Sequence, residues 1–493
     1  MTKYTRTDFW DEGTFQPITD DLRSSDPLEW PEYAQALRKA RDKARVDESV
    51  SAGPAKIGGH DVELALFDFD FIGGSMGEVA GERLARAMER AAEREVPFVL
   101  RTETGGARMQ EGMVSLVQMP KVVAARLALA AAHQIFIGIL GHPTTGGVLA
   151  SLGALADYTI AEGDATVGFA GRRLVERFTG RSLTVPSHTA WSASTHGLVD
   201  SVTPREVVSL ELSRLLDLLA QDAPEPPSEL PSPPVATKGD PWRSVQLARE
   251  RSDRFLTPVK MLPNVASGLV ELRGDRSGSA FVTSGDDPGV FVAFARIAGR
   301  SAVVVALDPE YPPGPRAYRK TRRAIRIAER VALPVITLID TAGADPSEDS
   351  EAGGIAWEIA ALFEAMLTAT VPILSVVTGE GGSGGALAFA TADRLLIYED
   401  AYFSVIAPES AAEILWRDAE RGPDAAGLLK LTAHDLATLG IADNVLVGPP
   451  SEESLVEAIA YHLGALLDED ISGEERSRRR RERWRDPTDR QSR

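Results

Sequence analysis

Four glycine-bearing turns stand where backbone N–H groups could act as catalytic donors: Gly106-Ala107, Gly146-Gly147, Gly343-Ala344 and Gly384-Gly385. Each follows an apolar, β-branched run that reads as a buried strand. A strand that ends in glycine and feeds a helix leaves the first N–H groups of that helix without intrahelical acceptors. Glycine also removes the side chain that would hold a substrate carbonyl away, and the helix dipole favours negative charge there. These four pairs are therefore candidate oxyanion holes. Donors aimed at developing enolate charge lower a barrier by about 3 kcal/mol each.

The turns are set in a chain that repeats itself. The strand-like run 96–102 (VPFVLRT) leads into Thr104-Gly105-Gly106-Ala107, and 333–339 (LPVITLI) leads into Thr341-Ala342-Gly343-Ala344, 237 positions later. The runs 135–140 and 371–377 lead into the second turn of each half; Gly146 and Gly384 lie 238 apart, and Asp157 and Asp393 lie 236 apart. Each half reads strand, glycine turn, small-residue helix, strand, the order of an α/β unit, and such internal similarity points to duplication. Between the halves lies the proline-rich run 222–240, which suits an extended spacer. The expected organisation is an N-terminal domain over 1–221, a linker over 222–240, a C-terminal domain over 241–470 and a basic tail over 471–493.

Two motifs in the second half compete with this reading. Gly379, Gly381 and Gly384 spell a dinucleotide fingerprint, with Glu399 about 20 residues on. Gly381 to Gly385 also fit a nucleophile elbow around Ser383, with Asp393 and His434 following in hydrolase order. The corresponding first-half turn, HPTTGG, retains only the helix-start glycines, and Thr145 is read there as the counterpart of Ser383. Both motifs are thus set aside as turn chemistry. Asp157 and Asp393 are read as turn residues, and His188 and His196 as structural.

Composition bounds the rest. With no cysteine, the chain has no disulfide, thiolate nucleophile or Cys-ligated metal, and no His-based metal motif is present, so no metal is expected. A net charge of −19 argues against nucleic-acid and acidic-membrane partners. The first twenty residues do not form a secretory signal, and no long uncharged run suggests a membrane span, so a cytoplasmic location is expected. The arginine-rich segment 476–485 reads as a solvated helix or frayed tail, with docking to an acidic partner as the alternative.

Several of these segments are familiar together. FIGGSMGEVAGE (71–82), GGARMQEG (105–112), LVQMPK (116–121), PTTGGVLAS (143–151) and VGFAGRR (167–173) resemble the bacterial acetyl-CoA carboxylase carboxyltransferase beta subunit. VELRGDR (270–276), YRKTRRAIRIAER (318–330), PVITLIDTAGA (334–344), GEGGSGGALA (379–388) and YFSVIAPES (402–410) are similar to the alpha subunit. The resemblance covers roughly residues 55–465 and implies two tandem crotonase-like domains in a natural beta-alpha fusion. It further implies a homo-oligomer whose active site joins the N-terminal domain of one protomer to the C-terminal domain of another.

The implied reaction carries a carboxyl group from carboxybiotin, held on a separate biotin carboxyl carrier protein, to an acyl-CoA. Acetyl-CoA is the first choice of substrate. A biotin carboxylase subunit is a further implied partner. The first two turns would hold the thioester oxygen, the second two the biotin ureido oxygen, and Arg172 and Arg173 would meet the CoA phosphates. The ureido nitrogen can accept the substrate's α proton, so no side-chain base is assigned.

Three departures from the family pattern stand out. The four-cysteine zinc ribbon is missing, Ala342 replaces a proline before an acidic DPSEDSE, and Thr102-Glu103-Thr104 replaces small residues. The alternatives are a propionyl- or longer acyl-CoA carboxyltransferase, the carboxyltransferase part of a biotin-independent malonate decarboxylase, and a non-catalytic acyl-CoA-binding scaffold. A crotonase hydratase would need Glu103 or Glu111 as its carboxylates.

Overall fold

The computed structural model describes residues 9–181, 187–220, 239–252, 257–277 and 285–485. The chain separates between Asp217 and Leu218 into two compact units, and a short stretch starting at Arg276 belongs to the first of them. That assignment has a local cause: the Arg276 guanidinium pairs with the buried carboxylate of Asp200. Most of the proline-rich run, 221–238, lies outside the described residues.

The first unit is built on β1 (Val50–Ile57), β2 (His60–Phe67), β3 (Phe98–Thr104), β4 (Phe136–Thr145), β5 (Tyr158–Glu162), β6 (Val167–Gly168) and β7 (Ser201–Thr203). The sheet order is β1-β2-β3-β4-β5-β7, with β6 pairing β4. Only the β1–β2 hairpin is antiparallel. Gly58 and Gly59 supply the two positive φ angles of its tight turn. Burial explains the continuous apolar strands. The helix Glu78–Glu93 packs Ala80, Leu84 and Met88 with Phe98 and Phe136, and the helix Gln118–Ala131 adds Val122 and Leu129 to the same core.

The second unit repeats the plan with β8 (Ala266–Glu271), β9 (Val290–Ile297), β10 (Arg300–Leu307), β11 (Val335–Thr341), β12 (Ile373–Gly382), β13 (Arg394–Tyr398), β14 (Tyr402–Ser404) and β15 (Asn444–Leu446). Its order is β15-β13-β12-β11-β10-β9-β8, with β14 on β12; β8 is an added antiparallel edge strand. Phe98 pairs with Phe136 in the first sheet and Val335 with Ile373 in the second, so both central strands sit 237 positions apart.

Two expectations fail for reasons of packing. Asp157 and Asp393 do more than cap or solvate a turn: Asp157 is buried and Asp393 part-buried, and each accepts the first N–H of the neighbouring central strand, from Phe136 at 3.0 Å and Ile373 at 2.7 Å. Each also pairs with a buried arginine, Arg126 at 3.0 Å and Arg480 at 2.6 Å. The second of those arginines lies in the basic tail. The segment Gly473–Arg485 is an α-helix with Arg476, Arg480 and Arg483 buried, so it is neither a frayed end nor a solvated face. Arg480 further donates to the carbonyls of Met366, Ala369 and Val371 at 2.7–2.9 Å. One continuous helical stretch, Met113–Ala131, is long and apolar enough to cross a membrane by composition alone. Val122 and Leu129 lie in the core, however, and Arg126 reaches Asp157, as befits a core helix.

Candidate active site

In the first unit the ends of β3 and β4 bring two turns into backbone contact. A threonine ladder sets them: Thr102 and Thr144 share a hydroxyl bond of 2.7 Å, and Thr145 Oγ1 donates to the Thr104 carbonyl at 3.2 Å. Gly106 and Gly146 have φ of 109° and 67°, and a β-carbon on Gly146 would stand 2.9 Å from Gly106 Cα. Only glycine fits this approach.

The same geometry divides the candidate donors. Gly106 N–H donates to Thr104 Oγ1 at 2.9 Å, and Gly146 N–H donates to the Phe169 carbonyl at 2.9 Å. Both groups are therefore internal supports. Among the described residues, the N–H groups of Ala107 and of Gly147, the second residue of the helix Gly146–Ser151, meet no acceptor. They lie together: a β-carbon at Gly147 would be 3.7 Å from Ala107 Cβ.

Behind Ala107 sits a buried ionic cluster that sequence reasoning missed. Arg108 is fully buried and pairs with Glu48, and it donates to the Ser75 carbonyl at 2.8 Å and to Glu111 at 3.1 Å. Glu111 also accepts from Tyr33 Oη and from Glu78 N–H, each at 2.6 Å. Burial works against the Arg108 charge, but Glu48 outweighs it and holds the guanidinium above its ordinary pKa. Burial likewise opposes the Glu48 carboxylate, and Arg108 overrides it to hold that pKa low. The only hint in the sequence was arginine and glutamate three residues apart in GGARMQEG. Their partners Tyr33 and Glu48 come from the segment before β1, which no spacing rule connects to the turn.

In the second unit Gly343 has φ 134°, and its N–H donates to Thr341 Oγ1 at 3.3 Å. The helix Ser383–Ala390 starts one residue earlier than the glycine pair implies. Ser383, with φ 60°, takes the place of Gly146, and Gly382 takes the place of Thr145 as N-cap. The register agrees, with Thr104 opposite Thr144 and Thr341 opposite Gly381. Matching Gly146 to Gly384, and Ser383 to Thr145, is thus one residue out; the 237 spacing continues through the turn.

The counterparts of Ala107 and Gly147 are then Ala344 and Gly384. Their N–H groups, with that of Gly385, have no acceptor among the described residues. A β-carbon on Gly384 would meet nothing within 4 Å, whereas one on Gly385 would come within 2.6 Å of Ala344 N and 3.0 Å of Tyr318 Oη. Gly384 therefore faces open space, and Gly385 is glycine for packing. Tyr318 Oη donates to the Gly385 carbonyl at 3.2 Å and holds the helix start.

The acidic run after Ala344 has a structural role. Asp345 accepts from Ser347 N–H and Oγ at 3.1 and 2.6 Å, and Ser347 caps the helix Glu348–Ala352, whose first turn carries the acids. Partial burial opposes the Asp345 charge, yet the serine donors hold its pKa below the usual value.

The remaining candidates take structural parts. Glu103 pairs with Arg101 at 2.6 Å, and Glu111 is locked as described. Asp393 is committed to Arg480, so Ser383 lacks the acid that a hydrolase elbow requires. His196 Nδ1 bonds the Ser192 carbonyl at 2.7 Å, and the His188 ring packs over Gly168. Arg172 and Arg173 open the helix Arg172–Thr179, but their side chains lie outside the described residues. Among the described residues no three acidic or histidine side chains converge as metal ligands.

Known proteins share this architecture. Residues 235–486 match the family model described as acetyl co-enzyme A carboxylase carboxyltransferase-like. The acetyl-coenzyme A carboxylase carboxyl transferase subunits beta/alpha of Salinispora arenicola are 39% identical, over 96% of this chain and 88% of that protein. A probable biotin-dependent acyl-coenzyme A carboxylase beta3 subunit of Mycobacterium bovis is 35% identical, over 89% of this chain and 88% of its own length. In fold, a transcarboxylase 12S crystal structure superposes with a TM-score of 0.75 at 24% identity, over 94% of this chain and 89% of that one.

Proposed function

The chain belongs to the acetyl-coenzyme A carboxylase carboxyltransferase family in its fused beta/alpha form, and from that premise we propose how its two pairs of free N–H groups divide the work. It is a carboxyltransferase of the biotin-dependent kind. The observation that carries the assignment is the repeated geometry: in each unit the glycine after β3 or β11 spends its N–H on a threonine hydroxyl, while the next residue and the second residue of the facing helix have N–H groups without an acceptor among the described residues.

In the first unit Ala107 and Gly147 hold the thioester oxygen of the acyl-CoA and stabilise the enolate charge that develops there, by about 3 kcal/mol per donor. In the second unit Ala344 and Gly384 hold the ureido oxygen of biotin. Uncharged donors beside open space suit a neutral ureido group. Carboxybiotin, when bound, supplies the carboxyl group and a ureido nitrogen able to take the α proton, consistent with turns that present no side-chain base. The chain's residues orient the reactants and stabilise charge.

The acyl-CoA is acetyl-CoA on this reading, by the names of the most similar relatives. Arg172 and Arg173 meet the CoA phosphates. A separate biotin carboxyl carrier protein, a biotin carboxylase subunit, a homo-oligomeric state and a cytoplasmic location complete it. The domain roles are acyl-CoA for the N-terminal unit and biotin for the C-terminal unit.

The test is the reverse reaction: purified chain, malonyl-CoA and free biocytin, followed as acetyl-CoA formation. Acetyl-CoA release that depends on biocytin is expected. Release at the same rate without biocytin would move the biotin-independent malonate decarboxylase reading ahead. A kcat/KM about tenfold higher for methylmalonyl-CoA than for malonyl-CoA would displace acetyl-CoA as substrate.

A further inference from the structure

A cavity of about 440 Å³ opens in the C-terminal unit where the helices Glu452–Leu467 and Gly473–Arg485 meet the starting ends of β13 and β15. The glycine turn follows the C-terminal end of β12, which runs parallel to β13, so this cavity, at the starting end of β13, is separate from the candidate active site. We propose that it binds a small oxyanion, a phosphate or carboxylate group, received by Arg394, Arg479 and the Nδ1–H of His462.

Five arginines line the cavity against three carboxylates, so its walls carry excess positive charge. Three arginines are committed: Arg480 to Asp393 at 2.6 Å, Arg476 to Glu469 at 3.1 Å, and Arg483 to Asp443. Among the described residues, the other two keep terminal guanidinium N–H groups without a hydrogen bond. Arg394 lies 3.7 Å from Glu469, beyond hydrogen-bond range, and that carboxylate already serves Arg476. Arg479 spends its Nε on Glu475 at 2.8 Å, on its own helix. Guanidinium groups with donors to spare favour planar or tetrahedral oxyanions over point cations.

The independent observation is His462. It is only 5% exposed, it lines the cavity, and its Nδ1 has no hydrogen-bond partner. Its Nε2 faces the Asn444 amide nitrogen at 3.4 Å, an arrangement in which Nε2 accepts and the ring proton sits on Nδ1. Burial, helped by Arg394, lowers the His462 pKa to about 4, so near neutral pH the ring is neutral and its single N–H points at an unfilled acceptor position. A buried donor without an acceptor destabilises the fold, and an oxyanion between this N–H and Arg394 removes that defect. Because the walls come from both helices and the strand end, occupancy also pins the arginine-rich helix to the sheet.

The experiment is calorimetric titration of the full chain, in low-salt buffer at neutral pH, with inorganic phosphate and separately with citrate. The proposal expects saturable binding of at least one, together with slower tryptic cleavage after Arg478 and Arg479. Arg394→Gln and His462→Phe should each weaken binding about tenfold or more, the size expected for a lost hydrogen bond to a charged group. Arg394 is partly exposed and loosely paired, so Arg394→Gln should melt as the parent does and separates loss of binding from loss of fold. Phosphate binding without citrate binding identifies a phosphate group, and the converse a carboxylate. No saturation with either up to about 10 mM, or equal affinity in both variants, overturns the proposal.

Discussion

Gly146 and Gly384 look alike in sequence, yet a side chain at each would have opposite consequences. At Gly146, φ is 67° and the backbone of Gly106 is in contact, so Gly146→Val should yield insoluble or unfolded protein, and its lost activity would report nothing about donors. At Gly384 a methyl group meets open space and sits in a helix, so Gly384→Ala should match or exceed the parent's melting temperature. Carboxyl transfer to biocytin by that variant should nonetheless fall about 10- to 100-fold, because the methyl would occupy the place proposed for the ureido oxygen. An unchanged rate would remove Gly384 from the site. Ser383 offers a complementary check. It holds a left-handed φ of 60°, so Ser383→Gly should gain about 1 kcal/mol in urea unfolding and keep full activity. Abolished activity in that variant would instead revive a serine nucleophile.

Two elements owe their position to buried charge. The turn carrying Ala107 rests on Arg108, Glu48, Glu111 and Tyr33, supplied partly by the chain before β1. Glu48 has its carboxylate pKa lowered in the folded state, so it adds stability above its unfolded value near 4.5 and loses that contribution as pH falls through the folded value. Glu48→Gln should therefore be less stable by about 3 kcal/mol at pH 7, since it strands Arg108, and lose less on acidification from pH 5 to pH 3. Chemical denaturation at both pH values reads this. The helix Gly473–Arg485 is the second case. A frayed tail would tolerate Arg480→Met within about 0.5 kcal/mol, whereas a buried arginine paired with Asp393 and three carbonyls predicts a loss of about 3–5 kcal/mol in urea unfolding.

At the scale of the molecule, one plan is used twice, and the copies diverge in what closes each sheet. Asp157 is met by Arg126 from the neighbouring helix, and Asp393 by Arg480 from the far end of the chain. Each unit also leaves large apolar side chains exposed: Met109, Met113 and Leu127 in the first, and Trp357, Ile414 and Leu415 in the second. That much uncovered apolar surface fits an assembled protein. Light scattering should give a mass at least twice that of one chain, and a monomer at micromolar concentration would contradict it.

The duplicated order of strands, turns and helices was legible because buried parallel strands are continuous apolar runs and because glycine marks close backbone approach in both copies. The family was legible from dense local motifs such as GGARMQEG and GEGGSGGALA. Which N–H groups remain free was not legible, since it depends on Thr104, Thr341 and the Phe169 carbonyl taking their neighbours' donors across the fold. Nor was the one-residue offset at Ser383, where a serine holds a conformation that the glycine pattern assigned to its neighbour. Residue types and spacing determined the fold and the reaction class, because those are local properties of strands and turns. Tertiary structure alone decided which donors are left without an acceptor and which charges are buried, because hydrogen bonds and ion pairs are made by residues more than a hundred positions apart.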